Sequence, residues 1–83
     1  MNRSLTLYSR QGCHLCEQML AEIQGLYGAE LAIGLVDVDS DALLLARYGL
    51  KVPVLAGEDG VISSGRLDAA ALEDYLACAD GAA

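Results

Sequence analysis

Two cysteines separated by two residues, in Gly12-Cys13-His14-Leu15-Cys16, constrain this chain more than any other feature. They follow a short apolar run, Leu5-Thr6-Leu7-Tyr8, and precede a segment of helical period. That context predicts a strand, a tight turn and a helix whose first turn carries a dithiol. Cys16, Met19, Leu20, Ile23 and Tyr27 fall at the i, i+3, i+4, i+7 spacing of a buried stripe. Cys13 lies one turn earlier, at the mouth of the helix, where backbone N–H groups have no intrahelical partner. The positive end of the helix favours a thiolate, so Cys13 is expected to be reachable, with a lowered pKa, and Cys16 to be shielded. This is the layout of a nucleophile and a resolving thiol. The same spacing also serves a structural disulfide or half of a zinc site, and the strand-turn-helix context favours redox chemistry over both.

Size and charge narrow the rest. The 83 residues suffice for one domain, residues 1–83, with a small core. There is no Trp or Phe, so Leu, Ala and Val must build that core. Twelve acids against five bases leave a net charge of −7, which argues against nucleic acid and against anionic membranes. No apolar run approaches the roughly 20 residues of a membrane span, and no secretory signal is read at the start. Three cysteines are too few for a disulfide scaffold, so a reducing, cytoplasmic setting is expected; a monomer is expected as well.

Along the chain, residues 4–8 read as the first strand, and Gly12 permits a tight turn into a helix over 13–27 that Gly28 stops. Residues 31–38 read as a second strand, apolar enough to be buried on both faces, with Gly34 marking a bulge or a close backbone approach. Asp39-Ser40-Asp41 caps a short helix that Gly49 closes. Residues 51–55 form a third strand, begun by Pro53, and the Asp59-Gly60 turn leads to a fourth at 61–63. Leu67-Asp68 opens the last helix, with Leu67 packing on Leu72 and with Leu72, Tyr75 and Leu76 facing inward. Residues 79–83 are expected to fray. The order is β-α-β-α-β-β-α, and the crossover rule makes the first two strands parallel.

A Cys-x-x-Cys opening the first helix, followed by Val52-Pro53 before a hairpin and a last helix, resembles the thioredoxin fold, most closely its small glutaredoxin-like branch. The resemblance covers essentially the whole chain. It implies an α/β three-layer sandwich, with a four-stranded mixed sheet and three helices. It also implies thiol–disulfide oxidoreduction, with Cys13 as nucleophile and Cys16 as resolving thiol. Pro53 would be cis and sit against the dithiol. Val52 would then offer its backbone to an extended disulfide substrate as an added strand.

Arg10 stands where glutaredoxins often hold a lysine, and could bind a glutathione carboxylate through its fork. His14 follows the nucleophile and would add positive charge when protonated. Ser64-Gly65-Arg66-Leu67-Asp68 matches the family's glycine pair only at Gly65, which makes a protein disulfide a stronger substrate candidate. No built-in cofactor is implied. Glutathione is a possible co-substrate, and electrons would come from it or from a thioredoxin-type reductase. Asp37, Asp39 and Asp41 read as helix-start acids rather than a cation site. Asp37 as a buried base beneath Cys16, a zinc site from Cys13, Cys16, His14 and Cys78, and an iron–sulfur cluster shared between two chains, which the resemblance to glutaredoxins brings in, are weaker readings, and no metal site is expected. Cys78 reads as a small, half-buried residue. The rival classes are a non-catalytic binding module and a metal-binding protein.

Overall fold

Two alternating leucines of the first strand, Leu5 and Leu7, set the frame. In the computed structural model, which describes residues 4–28, 31–58 and 60–81, the strands β1 (Leu5–Ser9), β2 (Ile33–Asp37), β3 (Val54–Gly57) and β4 (Gly60–Ser64) form one sheet in the order β2-β1-β3-β4. β1 and β2 are parallel, and β1–β3 and β3–β4 are antiparallel. Helices α1 (His14–Tyr27), α2 (Ala42–Tyr48) and α3 (Ala69–Gly81) complete the β-α-β-α-β-β-α order, with a 3-10 turn at Val38–Ser40 before α2.

Alternation along β1 sorts the layers. Leu5 and Leu7 point to one face, where they join Met19 and Ile23 of α1, Leu55 of β3, and Leu72 and Tyr75 of α3 in the core. Tyr8 points to the other face and stacks on Tyr48 at the end of α2, with ring centroids 4.6 Å apart. The result is the expected three-layer sandwich. The α1 stripe is also as expected: Cys16, Met19 and Ile23 are buried, and Leu20 and Tyr27 pack half-buried beside them.

Asp68 caps α3, its Oδ1 accepting from the Ala71 N–H at 3.0 Å, and Leu67 packs on the same core as Leu72. α3 continues as helix to Gly81, where fraying was expected from residue 79. Asp41 caps α2 by accepting from the Leu43 N–H at 2.8 Å, and Gly49 follows as its C-cap.

β2 departs from expectation. It is an edge strand, paired only with β1, and Leu35 on its core-side face remains 60% exposed. Its apolar run predicts burial on both faces, yet none of its five residues is buried. α2 likewise buries none of its residues. Gly34 marks neither a bulge nor a tight approach: the β1–β2 register is unbroken, and a Cβ there would lie at an ordinary 3.7 Å from the Leu5 carbonyl. The bulge lies instead between Leu55 and Ala56, on the β3–β4 pair. β3 starts after Pro53 rather than at Lys51, and the Asp59 of the expected turn lies outside the described residues.

Candidate functional site

The dithiol is set by the way β1 hands over to α1. Gly12 takes a φ of 75°, in the left-handed region that side chains resist, and the Cys13 N–H turns back to the Arg10 carbonyl at 3.3 Å. Cys13 is therefore the N-cap of α1 rather than its first helical residue. Its Sγ takes the place that a serine or aspartate oxygen usually fills, accepting from the Cys16 N–H at 3.1 Å. Cys13 is half-buried and Cys16 buried. The two are joined as a disulfide, with Cα atoms 5.3 Å apart. The same N–H would stabilise a thiolate at Cys13 once the bond is opened.

Val52–Pro53 is a cis peptide bond, and Pro53 is fully buried. β3 begins at Val54, opposite Tyr8, so Pro53 lies at the end of the sheet where β1 leaves for Cys13. The Pro53 carbonyl accepts from the Gly65 N–H at 2.8 Å, while among the described residues no hydrogen bond engages the Val52 backbone. Val52 thus keeps an open donor and acceptor at the dithiol end. Leu50 just before it is fully exposed, and so in part is Leu15 between the cysteines.

A cleft of about 320 Å³ opens beside Cys13 and Cys16, between α1 and the β2 edge, with Leu20 and Leu35 as its apolar walls. Arg10 and Glu17 bring charge to its lining. Arg10 is not free there. It reaches Asp39 by a fork, Nε to Oδ2 at 3.2 Å and Nη2 to Oδ1 at 3.0 Å, with the two side chains 40% and 38% exposed. His14 is 92% exposed, as its place on the helix wheel requires, and its Nδ1 lies 3.7 Å from Glu17 Oε2.

The sequence-predicted residues therefore gather at one end of the sheet, with one substantive change: Arg10 is already engaged. Asp37 is exposed and accepts from the Asp39 N–H at 2.9 Å in the 3-10 turn, so it is no buried base beneath Cys16. Asp39 reads in sequence as a helix-start acid. Its partnership with Arg10 spans 29 positions and leaves no local signal. Among the described residues no group of three or more His, Cys, Asp or Glu side chains is placed to hold a metal ion. The side chain of Cys78, expected to be half-buried, lies outside the described residues.

A mixed four-stranded sheet, a Cys-x-x-Cys at the mouth of its first helix and a cis-proline at the same end define a thioredoxin-fold protein of the dithiol class. More narrowly, the chain belongs to the glutaredoxin-like family: the model of the Glutaredoxin-like domain (DUF836) matches residues 4–77. It is similar to protein Ne2328 from Nitrosomonas europaea, known from a solution NMR structure, with 34% identity and a TM-score of 0.76 over 92% of this chain and 93% of that one. It is also similar to protein XcR50 from X. campestris, known from an X-ray structure, with 39% identity and a TM-score of 0.67 over 86% of this chain and 92% of that one. A search of curated proteins found no match. Among the described residues no helix is long and apolar enough to cross a membrane.

Proposed function

We propose that the protein is a glutaredoxin-like thiol–disulfide oxidoreductase, working by dithiol exchange. The observation that carries this reading is the pairing of Cys13 at the helix cap with a buried Cys16 that it can bond. In the reduced protein the Cys13 thiolate attacks one sulfur of a substrate disulfide. A Cys13–substrate mixed disulfide forms, and the first substrate thiolate leaves. Cys16 then gives up its proton and attacks Cys13 Sγ, and the second thiolate leaves. The substrate gains two electrons and two protons, and Cys13–Cys16 ends oxidised.

Val52, with its unpaired backbone, and Pro53 form the edge on which an extended substrate pairs as an added strand. Arg10 and His14 flank the nucleophile. Glutathione or a thioredoxin-type reductase returns the electrons, and protein or small-molecule disulfides are the substrates. A monomer in a reducing cytoplasm suits a chain with one such pair and no disulfide scaffold.

The test is a redox titration in glutathione buffers, with thiol state read by intact mass. The wild type should lose the mass of two hydrogens reversibly at a defined glutathione ratio, and Cys16→Ser should trap one glutathione on Cys13. If both cysteines stay reduced and unmodified throughout, the exchange mechanism is wrong and a binding module becomes the better reading.

A further inference from the structure

Asp39 does not line the dithiol cleft, yet it pairs with the arginine that does. The lining carries one cation, Arg10, and one anion, Glu17, among the described residues. Both Arg10 nitrogens that face Asp39 are within pairing distance of its two oxygens, the fork geometry in which guanidinium and carboxylate pair best. Asp39 is itself anchored, its N–H held by Asp37 Oδ1 at 2.9 Å. Elsewhere Arg47 lies over the Tyr48 ring, Lys51 precedes Val52, and Arg66 lines a separate cleft with Leu15 and Glu22. A carboxylate brought to the cleft beside Cys13 therefore meets an arginine already neutralised, with Glu17 next to it.

We infer that Asp39 is a positioning residue that withholds Arg10 from the substrate and so turns exchange away from anionic disulfides of the glutathione type, toward disulfides without carboxylates near the sulfur. This rests on the exchange reading above. The resident carboxylate has an advantage over an arriving one, because it belongs to the same chain and forgoes no freedom of association. Both partners are part-exposed, so the pair is weak enough to yield and the effect is a few-fold bias rather than a block.

The test uses reduced protein and two probes, glutathione disulfide and the neutral bis(2-hydroxyethyl) disulfide. The readout is the ratio of their second-order rate constants. Asp39→Asn should raise the glutathione ratio about two- to fivefold at low ionic strength, and the gain should shrink in about 1 M salt, where screening is nearly complete. Asp39→Glu, which keeps the charge, should restore the wild-type ratio. Arg10→Gln alone should move the ratio little, yet in the Asp39→Asn background it should remove the gain.

If Arg10→Gln lowers the ratio as much in the wild type as in the Asp39→Asn background, Arg10 is already available and the inference is overturned. It is equally overturned if Asp39→Asn leaves the ratio unmoved, or raises it in a way that Arg10→Gln does not reverse. Should Asp39→Asn not fold, Asp39→Ser carries the same comparison. If neither probe oxidises the wild type, it is the exchange reading that fails.

Discussion

Where β1 begins, one tyrosine joins three segments far apart in sequence; where β1 ends, the long-range ion pair stands half in water. The Tyr75 hydroxyl donates to the Ser4 carbonyl at 2.7 Å and accepts from the Glu58 N–H at 2.9 Å. Its ring lies so close over Gly57 that a Cβ there would collide with it. At the other end the part-exposed Arg10–Asp39 pair joins the Gly65–Pro53 and Ser64–Lys51 bonds as a long-range link, and Leu15, Leu35 and Leu50 are left uncovered. The difference is one of purpose. In a small sheet with a narrow stability margin, the end away from the chemistry is tied across the chain by one buried ring and its hydroxyl.

The comparison breaks most visibly in the core that Tyr75 closes. Leu72, one turn before it, is fully buried among Leu5, Leu7 and Ile23. Leu72→Ala should cost about 2–5 kcal/mol, read as a fall in urea midpoint at constant slope. Marginal domains hold only about 5–15 kcal/mol in total, so this variant should be partly unfolded under mild denaturant. A cost under about 1 kcal/mol would mean that α3 does not close the core.

Tyr75→Phe keeps the ring over Gly57 and removes only the hydroxyl. It should cost about 1–3 kcal/mol, because the Ser4 carbonyl loses a donor and the Glu58 N–H an acceptor. Exchange rates measured on the folded variant should match the wild type, since the hydroxyl acts at the far end of the sheet. A change in rate without a change in stability would show that the two ends are coupled, and would undo the division of labour.

The reacting end was largely legible in sequence because its signals are local. A 3.6-residue period places Cys16, Met19 and Ile23 on one buried face whatever surrounds them. Cys13 and Gly12 sit at a helix start that the same period locates to within a residue. The cis state of Pro53 is legible only through family resemblance, since a Val-Pro pair by itself is more often trans than cis. The Tyr75 contacts span 71 and 17 positions, and the Arg10–Asp39 pair 29, so no local pattern announces them. Burial of β2 on both faces fails for a related reason: apolarity along a strand does not record whether other elements reach over it, and at the sheet edge none of its residues is buried.

The smallest effect sharpens the contrast from the open side. Leu50 is an apolar residue with its whole side chain in solvent, between the C-cap of α2 and Val52. Leu50→Ser removes no buried surface and no hydrogen bond, so its stability should stay within about 0.5 kcal/mol of the wild type by denaturant midpoint. The same variant carries a second readout, because an exposed leucine just before an open strand edge is placed to touch a protein substrate. Its exchange with a small neutral disulfide should be unchanged, while exchange with an unfolded protein disulfide should slow. A stability loss beyond about 1 kcal/mol would mean that this segment is held as firmly as the Tyr75 end, and the contrast between the two ends would then be wrong in its main term.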